Sequence, residues 1–156
     1  MKILSVAGDR VVILLGGEET GQQYTVQEAT IPPGAGPPPH VHSREDETFL
    51  VLEGEITFHI GERLVVLKKG EFLFAPRGVP HYFKNTGTTE AVMLETATPS
   101  GLEGFLEATG MPHSSRQDKP APLSPADISR MRELAPDYGI TILSPAEMAA
   151  LTAKKS

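Results

Sequence analysis

Three histidines and one glutamate lie in two short stretches of this chain, at spacings that suit a metal site. The first stretch runs from Gly34 through His40 and His42 to Glu47 and closes at Gly54. The second runs from Gly70 through Pro76, Arg77 and Gly78 to His81 and Asn85. Imidazole nitrogens with one carboxylate are the donors that a borderline divalent transition metal takes. His40 and His42 are two residues apart, so on an extended segment both side chains leave the same face. Glu47 has the opposite parity, and a turn or bulge within residues 43–46 has to bring it round. Pro37-Pro38-Pro39 before His40, and Pro76-Arg77-Gly78-Val79-Pro80 before His81, restrict the backbone and give both segments rigid approaches.

The elements that must position these residues read as strands. From about residue 10 to 98, short apolar pieces are separated by turn residues: 11–15, 22–31, 48–52, 56–60, 63–67, 71–74, 81–85 and 91–98. In the second piece Tyr24, Val26 and Glu28 alternate with polar neighbours, and Glu53-Gly54-Glu55 reads as a tight hairpin turn. So many closely spaced strands predict an all-β antiparallel sandwich or barrel.

Past Pro99 the pattern turns helical. Leu102, Phe105 and Leu106 take i, i+3, i+4 spacing, a short amphipathic helix closing on the sheets. A linker follows to about residue 123. Ser124-Pro125-Ala126-Asp127 and Ser144-Pro145-Ala146-Glu147 then place Ser at an N-cap, Pro at the first helical position and an acid at the third. They predict helices over 125–135, ended by Pro136, and 145–153. Residues 1–98 are thus expected to be the β domain and 99–156 a helical extension packed on it, with no chemistry of its own.

Composition narrows the class. With 156 residues there is one domain; 15 Gly and 14 Pro suit many sharp turns. A net charge of −6 without a basic cluster argues against nucleic acid or an anionic membrane as partner. The chain has no cysteine, so the metal ligands are not thiolates. No segment reads as a signal peptide or membrane span, and a cytoplasmic protein is expected.

Other candidates take simpler readings. His59 and His113 have no companion ligands and read as structural. Glu45 and Asp46 read as a solvated acidic face, and Asn85 as a turn former. Gly34, Gly54, Gly70 and Gly78 read as positions needing positive φ or close approach. Phe49, Val51, Phe74, Phe83 and Met93 read as the lining of an apolar interior.

The two stretches resemble the two motifs of the cupin superfamily, with every fixed position filled and fifteen residues between Gly54 and Gly70. The resemblance covers residues 34–85, extended by flanking strands. It implies a cupin-type jelly-roll β-barrel with short C-terminal helices. It also implies one divalent transition metal per chain (Fe, Mn, Ni, Co, Cu or Zn), held by His40, His42, Glu47 and His81. Glu45 does not keep the motif's distance to Gly54. The texture around His40–Glu47 is similar to small single-domain bacterial cupins related to quercetin dioxygenases. Three neutral imidazoles and one carboxylate leave the ion a single net positive charge and two open octahedral positions, where an enolate or catecholate could meet O₂. Glu47 would stay on the metal or act as the catalytic base. The expectation is a mononuclear-metal oxygenase for a small aromatic, flavonol-like or diketone-like substrate, working as a homodimer. The competing readings are a metal-assisted isomerase or lyase on a small polar substrate, and a non-catalytic ligand-binding cupin.

Overall fold

In a computed structural model, which describes residues 1–153, two antiparallel sheets face one another. The strands are β1 (Lys2–Val6), β2 (Asp9–Leu15), β3 (Thr25–Ile31), β4 (His40–His42), β5 (Asp46–Glu53), β6 (Glu55–Ile60), β7 (Arg63–Lys68), β8 (Phe72–Ala75), β9 (His81–Lys84), β10 (Ala91–Thr98), β11 (Met111–Pro112) and β12 (Ile140–Ile142). One sheet has the order β11-β1-β2-β3-β10-β5-β8, the other β12-β4-β9-β6-β7. The expected barrel is not closed by hydrogen bonds; the two sheets form a sandwich. Between them Phe49, Phe58 and Phe83 pack with centroids 5.0–6.0 Å apart.

Two of the glycines show why the chain needs them. Gly54 turns β5 into β6 at φ +73°, and a Cβ there would press on Ala91 at 3.1 Å. Gly36, which the motifs do not mark, has φ +147° and its Cβ would lie 2.1 Å from the Phe83 carbonyl oxygen. The other expected glycines, Gly34, Gly70 and Gly78, also have positive φ.

Side-chain direction departs from expectation at two strands. In β3 the inward residues are Thr25, Gln27, Ala29 and Ile31, while Val26 and Glu28 face out. A polar residue on the inner face inverts the usual alternation, and parity then assigns every neighbour to the opposite side. In β8, Phe74 is 55% exposed and Phe72 69%, while Leu73 and Ala75 point in. The register explains this: Phe49, which is inward, pairs with Leu73, and Thr48, which is outward, pairs with Phe74. Phe74 therefore leaves the expected lining. We expect Phe74→Ser to change the unfolding free energy by no more than about 0.5 kcal/mol. A loss near 2 kcal/mol in a denaturant titration would put Phe74 back in the core.

The extension supplies strands as well as helices. After α1 (Gly17–Thr20), the helices are α2 (Leu102–Thr109), α3 (Pro125–Leu134) and α4 (Pro145–Ala153). Both predicted capping boxes form: Ser124 and Asp127 exchange backbone bonds, as do Ser144 and Glu147. Beyond α3 a 3-10 turn, Ala135–Tyr138, carries the chain past Pro136 to Gly139. Met131 of α3 is buried in the same core as Ile140, while Ile128 and Leu134 of this helix are half-buried. Strand β12 then pairs along β4, Ile140 opposite His42 and Ile142 opposite His40.

Candidate metal centre

His40 and His81 are direct partners across β4 and β9 of the five-stranded sheet, and His42 follows one pleat later. Glu47 stands on β5, in the other sheet. The turn expected within residues 43–46 is present, but it carries the chain from one sheet to the other. Glu47 therefore faces the histidines across the sandwich, and its parity with them is irrelevant. One donor atom from each of His40, His42, Glu47 and His81 lies within 4.8 Å of all the others.

The histidine rings are held from behind. His40 Nδ1 lies 2.8 Å from the Pro38 carbonyl and His81 Nδ1 lies 3.1 Å from the Val79 carbonyl. In each case the bond reaches two residues back into the proline-stiffened approach, fixing the ring and leaving Nε2 for the centre. The motifs are also tied together: the Gly78 amide donates to the His42 carbonyl at 2.7 Å. Arg77 grips the Asp46 carboxylate with Nε and Nη2 at 3.1 and 2.9 Å. Asp46 thus stays near the surface, but in an ion pair.

The donor set fits a cation. His81 Nε2 sits 2.8 Å from Glu47 Oε2, yet both atoms are buried without an aligned hydrogen bond. Buried polar atoms seldom go without partners, and a cation between these two would satisfy both. Burial, with the charges of His81 and His42, pushes His40 down to about 3, so its imidazole is neutral and ready to coordinate. Burial would raise the Glu47 carboxyl, but His42 and His81 outweigh it and hold it below the usual carboxylate range. His42 moves upward because Glu47 and Glu45 outweigh its burial.

Glu45 corrects an expectation. It is 3% exposed rather than solvated, and its Oε2 lies 3.4 Å from His42 Nδ1. The crossing between sheets folds it under the site, on the side of His42 away from Glu47. Glu45→Ala is accordingly expected to weaken metal binding by about 10–100-fold, the usual cost of losing a group that orients a ligand. Unchanged affinity in a metal titration would return Glu45 to the solvated class.

A cavity of about 70 Å³ opens over the cluster, bordered by His40, His42 and Glu47 and by Phe49, Phe83, Leu102 and Phe105. Asp9, Gln27 and Glu95 also border it, and the motif spacing gave no sign of them. Their only trace in the sequence is a polar residue where strand alternation calls for an apolar one. Burial raises the Asp9 carboxyl; burial and the nearby Glu47 charge raise Glu95. The residues read as structural behave so. His59 stacks on Tyr82 at 4.3 Å, His113 lies 3.5 Å from Asp118, and the Asn85 amide donates to the Ile31 and Thr89 carbonyls. A larger groove of about 790 Å³ runs past Pro37, His59 and Tyr82, and none of the four clustered residues borders it.

Residues 27–97 match the family described as Cupin domain. Germin-like protein 3-5 of Oryza sativa subsp. japonica is 41% identical over 70 residues, 40% of this chain and 31% of that protein. Oxalate oxidase 2 of Hordeum vulgare is 40% identical over the same lengths. The chain thus spans about a third of the length of these curated relatives. The structure of a predicted oxalate decarboxylase from Thermotoga maritima is 27% identical, with a TM-score of 0.58 over 64% of this chain and 90% of that one.

Proposed function

We propose, starting from residues 27–97 as a cupin domain, that this chain is a mononuclear-metal oxidoreductase of oxygenase type acting on a small oxygen-bearing molecule. The observation that carries the reading is the convergence of His40, His42, Glu47 and His81, with unpartnered buried atoms, where the first three border a cavity. These four residues would hold one divalent ion. Such an ion would supply a positively charged template for substrate oxygens. Around it, His40 and His81 are held in place by backbone carbonyls, and Phe49, Phe83 and Phe105 exclude water. Glu47, held ionised by His42 and His81, would serve first as the anionic metal ligand, and its carboxylate is the base nearest the cluster for a substrate hydroxyl proton.

The cavity's volume corresponds to roughly five or six water-sized units. That favours the small end of the expected substrates over a three-ring flavonol. The oxalate oxidase similarity supports the oxidoreductase class. The isomerase or lyase reading keeps one supporting observation: the raised carboxyls of Asp9 and Glu95 could carry protons. Homodimeric, cytoplasmic and bacterial remain part of the proposal. For a second copy, the exposed outer face bearing Phe72 and Phe74 offers apolar surface. No helix among the described residues is long and apolar enough to cross a membrane.

Elemental analysis of untagged protein, purified without chelator, is the test. Near-stoichiometric iron, manganese, nickel, cobalt or copper, followed by substrate-dependent oxygen uptake, is expected. Zinc alone, or no metal, would favour the isomerase or binding readings.

A further inference from the structure

Facing the three histidines, the inner face of the seven-stranded sheet carries Asp9, Gln27 and Glu95 on β2, β3 and β10, beside Glu47 on β5. Gln27 and Glu95 are register partners, and Gln27 Nε2 donates to Glu95 Oε2 at 2.8 Å. All three are at least nine-tenths buried and border the same cavity as His40, His42 and Glu47. The bond between Gln27 and Glu95 uses the amide nitrogen and leaves Gln27 Oε1 without a partner; Asp9 Oδ1 also has none. The Gln27 amide oxygen can only accept, so it calls for a donor, and a hydroxyl group can also bond a carboxyl oxygen such as Asp9 Oδ1. No lysine or arginine borders that cavity among the described residues, whereas three carboxyl groups do.

We infer that Asp9, Gln27 and Glu95 form a recognition row for a small α-hydroxy carbonyl compound, and that the row rejects dicarboxylates. The inference rests on the proposed function and names its substrate class. One end of such a molecule meets the histidine–Glu47 cluster, and its hydroxyl donates to Gln27 Oε1 or Asp9 Oδ1. An ionised dicarboxylate of equal size offers no donor to Gln27 Oε1. It also brings a second negative charge beside the ionised Glu47 and against two buried carboxyl groups, with no lysine or arginine bordering the cavity to receive it. Similarity to an oxalate oxidase therefore does not carry oxalate over as substrate.

Glycolate and oxalate differ at one end only, which makes them the probes. Calorimetric titration of the full-length protein, loaded with its copurifying metal, gives the ratio of the two affinities. The parent is expected to bind glycolate at least as tightly as oxalate. Gln27→Leu and Asp9→Leu, which remove the accepting oxygens, should each move the ratio toward oxalate by about tenfold, with metal content unchanged. Two variants at separate strands guard against a local folding defect in either. Tighter oxalate binding by the parent, no glycolate binding, or a ratio that neither variant moves would overturn the recognition row. Failure to consume oxygen or turn over any substrate, with the ratio behaving as expected, would instead remove the oxidoreductase reading and leave the row standing.

Discussion

His81→Ala is expected to lower bound metal from about one ion per chain to less than about a tenth, with the sheets intact. His81 is 2% exposed, its Nδ1 is held by the Val79 carbonyl and its Nε2 faces Glu47. No other histidine can replace it. His59 lies on a neighbouring strand against Tyr82, and His113 lies near Asp118. The strand itself does not depend on the imidazole: β9 pairs with β6 through Phe58 opposite Phe83, both in the aromatic core. Truncation should cost on the order of 1–3 kcal/mol, a loss a domain of this size can absorb. His40→Ala should behave alike, because His40 is the cross-strand partner of His81. Metal analysis with circular dichroism decides it. A folded, fully metallated His81→Ala protein would remove His81 from the ligand set, and unfolding of both variants would make the metal structural.

Glu47→Gln is expected to produce the other large effect. Glutamine keeps the shape of the side chain and removes the charge that offsets His42 and His81 across the sandwich. At saturating metal, turnover should fall by about 10²–10⁴-fold if Glu47 takes a substrate proton. Metal affinity should also fall, since the one anionic donor is gone. The same charge sets the pH response. Glu47 and Glu45 together raise His42 above its ordinary value of 6.5, against a burial effect that alone would lower it. A metal needs the neutral imidazole, so in the parent its affinity falls as pH drops through this raised value. Conversely, the His42⁺–Glu47⁻ pair of the metal-free protein stabilises the fold fully below pH 6.5 and loses that contribution as pH rises through the raised value. In Glu47→Gln the acid loss of metal should begin at lower pH. Titrations of metal affinity against pH read this shift, and parent-like affinity, turnover and pH response together would sink the role given to Glu47.

Much of this molecule is written locally. The spacing of His40, His42, Glu47 and His81 identifies the cluster, because ligand chemistry demands particular side chains and rigid approaches. Gly54 and the Ser-Pro starts of α3 and α4 are equally legible, because turns and caps are settled by a few adjacent residues. What sequence order cannot reveal is which residues from distant strands share one interior. Glu47 reaches the histidines by crossing to the other sheet, and Glu45 is buried by that same crossing. Phe74 turns outward because its register places it opposite Thr48. The short strand β12 lies nearly a hundred residues from β4 yet flanks both of its histidines. Asp9, Gln27 and Glu95 have no motif, since their shared cavity comes from the pairing of β3 with β10 and β2 with β3. The identity of the clustered histidines and glutamate is thus a property of the sequence. The wall that faces them belongs to the tertiary structure, because strand register and sheet crossing alone decide which polar groups are buried together.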